Sequence, residues 1–184
     1  MRYCFYKLRP EGSKDKFKEN VALITYGDDN GMGVSDRVPW FNHTTIQKTL
    51  ADIGVEYTMA DKVSESIPYI HIDQFSFLKR KWVYDDEVGA WLCPLEEESI
   101  HKSLTTWTPS TSVDCYKQMV DVISSANSEY FFYGREVFNR HRDFFAKVLE
   151  EVPYSAYVTE RTLPSWDELR ERFWRASEQI SGTN

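Results

Sequence analysis

Val21-Ala22-Leu23-Ile24-Thr25-Tyr26-Gly27-Asp28-Asp29-Asn30-Gly31-Met32-Gly33-Val34 decides how the rest of this chain is read. An apolar run enters a turn, two carboxylates sit side by side at its tip, and a second short run leaves. The pattern predicts a β-hairpin, with Gly27, Asn30 and Gly31 as the residues that accept positive φ. The preceding strand is apolar and expected to be buried, which would give the turn a rigid mount. Asp28 and Asp29 place two negative charges at one point, where they repel unless a cation or solvent relieves them. Paired carboxylates on rigid strands suit a hard divalent ion such as Mg²⁺. A polar turn with no further role is the plainer alternative.

The 184 residues allow one large domain or two small ones, and the formal net charge of −7 repels nucleic acid globally. Any nucleic-acid contact must therefore come from local basic clusters or from parts of a larger protein. Cys4, Cys93 and Cys115 are odd in number and far apart, which fits reduced thiols in an intracellular chain better than a disulfide scaffold or zinc ribbon. The sequence has neither an apolar run of the roughly 20 residues needed to span a bilayer nor a signal-peptide core. The four histidines show no metal-ligand spacing.

Working outward, Met1 to Leu8 reads as the end of a helix stopped by Pro10 and Gly12, followed by a charged connector from Lys14 to Lys18. Phe41 to Gly54 reads as a helix: Asn42 caps it, Phe41 staples onto Ile46, and Ile46, Leu50 and Ile53 form a stripe. Gly54 sits where a left-handed C-terminal residue belongs. Strands are expected at Val55 to Met59, Tyr69 to Ile72 and Phe75 to Val83, then a turn through Asp85, Asp86 and Gly89 into Ala90-Trp91-Leu92. From Pro94 onward the pattern is helical only: Glu96 to Trp107, Val113 to Ala126, Gly134 to Val152, and a last helix opened by the capping box Ser165-Trp166-Asp167-Glu168. The expected fold class is α+β, mixed over residues 1–92 and all-helical over 93–184.

Three strings in order carry a resemblance. Tyr26-Gly27-Asp28-Asp29-Asn30 resembles the signature of viral RNA-dependent RNA polymerases. Ala60-Asp61-Lys62 looks like their next palm motif, and Phe77-Leu78-Lys79-Arg80 is similar to the one after, most closely in the picornavirus-like group. Glu98 to Leu104 with Trp107 looks like the start of the thumb. The resemblance implies a partial palm over 1–92, an antiparallel sheet with the Gly-Asp-Asp hairpin plus helices, and a helical thumb over 93–184.

It also implies roles. Asp28 and Asp29 would be catalytic and would hold Mg²⁺ or Mn²⁺ for two-metal nucleotidyl transfer in viral RNA replication. Lys62 would be the general acid for departing pyrophosphate; without the resemblance it reads as a solvated loop lysine. Gly27 would let the RNA primer end approach the backbone. Lys79 and Arg80, in the densest basic cluster of the chain, would contact RNA; a charged edge strand that resists aggregation is the plainer alternative. The implied partners are RNA template and primer, nucleoside triphosphates, and the rest of a polymerase in the host-cell cytoplasm.

The family places an Asp-containing motif and a Ser-Gly motif before the hairpin, and neither is present. Before Asp28 the only carboxylates are Glu11, Asp15 and Glu19. The expectation is a C-terminal palm-and-thumb fragment, lacking fingers and inactive alone. A reverse-transcriptase-like polymerase and a non-catalytic RNA- or protein-binding module are the rival readings.

Overall fold

The hairpin forms where the sequence places it. The computed structural model describes residues 1–151 and 153–181, and among these it shows seven α-helices and four short strands. They pack as two compact units, Met1–Leu78 and Lys79–Asn184.

The first unit contains α1 (Arg2–Leu8), α2 (Phe17–Asn20), β1 (Val21–Tyr26), β2 (Asp29–Val34) and α3 (His43–Ala51). Strands β1 and β2 pair antiparallel in register from Val21 opposite Val34 to Tyr26 opposite Asp29. That register leaves a two-residue turn, Gly27-Asp28. Only Gly27 takes positive φ there (59°). Asn30 and Gly31 were expected to share that duty, but the turn closes at once and both already lie in the ladder. Gly31 is required for another reason: a Cβ would collide with the ring of Phe75.

Helix α3 starts on a reciprocal capping box. Asn42 Oδ1 accepts from the Thr45 amide at 3.1 Å, and Thr45 Oγ1 accepts from the Asn42 amide at 3.1 Å. Gly54 ends the turn beyond it with φ 75°. Phe41 and Ile46 are fully buried in one cluster with Phe5, Phe17, Val21 and Val38. Burying such aromatic and aliphatic side chains contributes on the order of 2 kcal/mol each. Ile53, expected on the buried stripe, is exposed, because the helix has ended by Ala51. Phe17 anchors α2, a single helical turn at the end of the expected connector.

Two expectations fail here. Beyond Val21 strand β1 is exposed, including Leu23 and Ile24, because a two-stranded ribbon has two open faces and the cluster covers only its base. The strands expected at 55–59 and 69–72 do not form, and of 75–83 only Val83 lies in a strand, Val83–Asp85, which also takes in Asp85 from the expected turn. Their backbone groups are satisfied differently. Gln47 Nε2 donates to the Tyr57 carbonyl at 2.7 Å, and residues 72–74 make one 3₁₀ turn capped by His71.

The second unit contains β3 (Val83–Asp85), β4 (Ala90–Leu92), α4 (Glu97–Thr105), α5 (Cys115–Tyr130), α6 (Arg135–Glu150) and α7 (Trp166–Ser181). All four expected helices are present, shifted at their ends by a few residues; Val152 lies outside the described residues. Asp114 caps α5 by accepting from the Tyr116 amide at 2.9 Å. The capping box of α7 is closed by the Ser165 amide donating to Glu168 Oε2 at 2.7 Å and the Glu168 amide donating to Ser165 Oγ at 3.2 Å. Phe138, Phe145, Tyr130, Val120, Ile100 and Trp166 are buried together, with Val88 and Leu92 from the β3–β4 hairpin. The short hairpin therefore belongs with the helices, and the units part at Leu78 although the helical pattern starts only at Pro94. Tyr84 and Trp91 meet edge to face at 5.6 Å on its half-exposed surface.

Candidate active site

The first unit presents the carboxylates at an exposed turn. Tyr26 pairs with Asp29, so Asp28 sits in the turn and Asp29 opens β2. Both are exposed. Neither side chain has an ion pair or hydrogen-bond partner among the described residues. Two adjacent charges left without a counter-ion are a hard-oxygen donor pair open on one side. They are also only a pair: no group of three His, Cys, Asp or Glu side chains able to hold a metal occurs among the described residues.

Gly27 supplies the backbone of this turn and has open space around it, with no atom within 4 Å of where a Cβ would stand. Its need for glycine is conformational, and the vacancy on that side leaves the backbone approachable. Asn30 folds back over the turn, Nδ2 donating to the Asp28 carbonyl at 3.4 Å. Its Oδ1 in turn accepts from the Tyr57 hydroxyl at 2.9 Å.

Lys62 lies in a loop of the same unit that braces itself. The Asp61 carboxylate accepts from the amides of Val63 (3.1 Å) and Ser64 (2.9 Å) and from the Ser64 hydroxyl. These hydrogen bonds, those from Ser64 foremost, hold the Asp61 carboxyl below its ordinary value. The turn drives Lys62 to φ 62°, an uncommon conformation for a residue with a Cβ, while its amide donates to the Met59 carbonyl at 2.9 Å. The ammonium is exposed, with no ion pair among the described residues.

Lys79 and Arg80 belong to the second unit. The Phe77-Leu78-Lys79-Arg80 string, expected as a strand, is a tight turn with Leu78 at φ 52° and Lys79 at φ 60°. Consecutive positive φ values are the signature of a type I′ reversal, ordinarily made with Asn and Gly. Arg80 makes a two-pronged pair with Glu129 of α5, at 2.9 and 2.7 Å, and donates to the Cys93 carbonyl at 3.0 Å. The Glu129 hydrogen bonds push the Arg80 pKa up. Lys79 Nζ reaches Glu96 at 3.3 Å and remains about two-thirds exposed.

The structure thus puts Gly27, Asp28, Asp29 and Lys62 on one unit and gives Arg80 a partner inside the other. Sequence reading missed Tyr57, which was assigned to a strand, and His43, which was seen only as a helix residue. Their hydrogen bonds join positions far apart in the chain, and no local pattern announces them.

The fold is similar to part of a viral polymerase. The solved "Sicinivirus 3Dpol RNA dependent RNA polymerase" superposes with a TM-score of 0.63 over 88% of this chain and 31% of that one, at 21% identity. The family model "Viral RNA-dependent RNA polymerase" matches residues 1–172, and the chain belongs to that family. Among its relatives, the replicase polyprotein of cricket paralysis virus is 34% identical over 138 residues, 74% of this chain and 8% of the relative. The RNA1 polyprotein of grapevine fanleaf virus is 34% identical over 169 residues, 90% of this chain and 7% of the relative. The chain therefore spans less than a tenth of these polyproteins and about a third of the solved polymerase. No described helix is long and apolar enough to cross a membrane.

Proposed function

We propose that this chain supplies one wall of the active site of a viral RNA-directed RNA polymerase, acting in genome replication and transcription in the host-cell cytoplasm. The observation that carries the reading is the Asp28–Asp29 pair, without a partner among the described residues, at the tip of a two-residue turn in a chain that matches the polymerase family along most of its length. In this reading the first unit is part of the palm and the helices α4 to α7 form the thumb.

Asp28 and Asp29 would hold Mg²⁺ or Mn²⁺, with oxygen donors of the kind those ions prefer. When bound, the ions supply Lewis-acid activation of a primer hydroxyl and charge neutralisation at the attacked phosphate of a nucleoside triphosphate. The chain's own contribution is to set two negative charges side by side at one turn and to keep the Gly27 backbone open for the primer end. Lys62, with no ion pair among the described residues, would donate a proton to the departing pyrophosphate. Lys79 would contact the RNA backbone, and Arg80 would serve that contact by anchoring the turn that presents it.

Two carboxylates do not complete a metal site, so the 184-residue chain alone is proposed not to polymerise. Primer extension tests both parts of the reading. The polymerase that contains this segment should incorporate nucleotides on an RNA template, and Asp28→Asn should abolish incorporation. Full activity of that variant sinks the reading; Asp28-dependent incorporation by the isolated chain sinks the inactivity of the piece.

A further inference from the structure

The residue after the carboxylate pair is where a distant segment takes hold of the hairpin. The Tyr57 hydroxyl donates to Asn30 Oδ1 at 2.9 Å, and Asn30 bridges back to the Asp28 carbonyl. Helix α3 fixes Tyr57 from behind. The His43 ring stacks on it at 4.7 Å with an interplanar angle of 26°, and Gln47 Nε2 donates to its carbonyl at 2.7 Å. His43 is itself held, with Nδ1 2.7 Å from Ser66 Oγ and Nε2 3.2 Å from the Thr58 carbonyl. Both rings are therefore fixed by polar contacts as well as by stacking.

The next residue, Gly31, faces the opposite side of the ribbon, since strand side chains alternate. On that side lies the Phe75 ring, occupying the space a Cβ would need. The segment from Tyr57 to Phe75 thus clasps β2 on both faces at two successive residues, and the loop carrying Lys62 lies between the two grips. Desolvation raises the Tyr57 pKa above its ordinary value, an effect the Asn30 bond only partly offsets, so its hydroxyl stays a donor through the neutral range.

We propose that Tyr57 is a positioning residue that fixes the Asp61-Lys62 loop relative to the Asp28–Asp29 tip, with His43 and Gln47 holding its ring in place. The proposal rests on the polymerase reading for what Lys62 does and adds the contact that sets where Lys62 stands.

Tyr57→Phe in the 184-residue chain removes one hydroxyl and keeps the ring, and residue-resolved amide exchange by NMR reads the result. Exchange at Asn30, Gly31 and Asp61 to Ser64 should quicken about five- to tenfold, the loss of one hydrogen bond's protection. Amides of α1 and α3 should not change. Asn30→Ala should reproduce the pattern, and the double variant should add nothing. Unchanged exchange in Tyr57→Phe, or a uniform rise across Met1–Leu78, overturns the proposal. Mg²⁺ titration separates this outcome from the fate of the polymerase reading. In the wild type, shifts at Asp28 and Asp29 should spread to Lys62, and in Tyr57→Phe they should stop at the hairpin. If Mg²⁺ moves no amide, the metal reading falls while the exchange data still decide whether Tyr57 couples the two loops.

Discussion

Two reversals of two residues each, Gly27-Asp28 and Leu78-Lys79, solve the same geometric problem by opposite means. The first puts glycine where φ must be positive, surrounds it with open space and leaves both neighbouring carboxylates without partners among the described residues. The second forces leucine and lysine into that region and persists because its surroundings over-determine it. Arg80 is forked onto Glu129, the Glu96 amide donates to the Lys79 carbonyl at 2.8 Å, and the Lys81 amide donates to the Pro94 carbonyl at 3.2 Å. An L-residue in the left-handed region costs roughly 1–2 kcal/mol, so the second turn carries strain that contacts must offset. Chemistry is free to happen at the turn whose carboxylates have no partner among the described residues. The other turn is structural, and its basic residues are partly committed.

That difference can be broken from either side. The largest effect should come from Glu129→Ala, which strips Arg80 of both prongs and should destabilise the second unit by about 2 kcal/mol, less than for a fully buried pair because Arg80 is about one-third exposed. Urea unfolding measures it; a change below about 0.5 kcal/mol would show that the turn is held by something else. Gly27→Ala comes next: with nothing for the methyl to strike, only the conformational penalty of about 1 kcal/mol remains. A loss several times larger would reveal a contact at the hairpin tip. Lys79→Gly relieves the strain at the cost of unfolded-state entropy and the Glu96 pair, and should leave stability within about 0.5 kcal/mol of wild type or slightly above it.

The smallest effect is local and depends on pH. The folded state holds the Asp61 carboxyl below its ordinary 3.8. The loop's stabilisation is therefore fully present above that value and lost as pH falls through the lower folded-state value. Exchange at Val63 and Ser64 should accelerate in that acid window, and Asp61→Asn should abolish the pH dependence. If those amides respond to acid no more than the rest of the unit, the Asp61 brace is not what shapes the loop.

Much of this was legible from sequence because it rests on local chemistry. Asn42, Ser165 and Gly54 declare helix ends by what their side chains or missing side chain can do within three residues. The hairpin declares itself by a glycine between two strand-forming runs. Residues 55–75 misled because an apolar-polar alternation there fits a strand, yet none of the segment pairs onto the open edges of the β1–β2 ribbon. Its hydrogen bonds run instead to Gln47, His43 and Asn30, and those partners lie 10 to 27 positions away. The burial of β1 was misjudged for a related reason: Leu23 and Ile24 are apolar, but a ribbon's faces are buried only by what packs on them. Phe77 to Arg80 looked extended, and the contacts that hold its turn, Arg80 to Glu129 across 49 residues foremost, leave no local sign in the sequence.

Mn²⁺-induced broadening of backbone amide resonances in the 184-residue chain tests most directly whether the hairpin tip is the chemical turn. Broadening should centre on Gly27 to Asn30, leave Leu78 to Arg80 sharp, and vanish in Asp28→Asn, while the stability of that variant stays within about 0.5 kcal/mol of wild type. Broadening centred elsewhere, or persisting undiminished in Asp28→Asn, would contradict the assignment of the metal to Asp28 and Asp29.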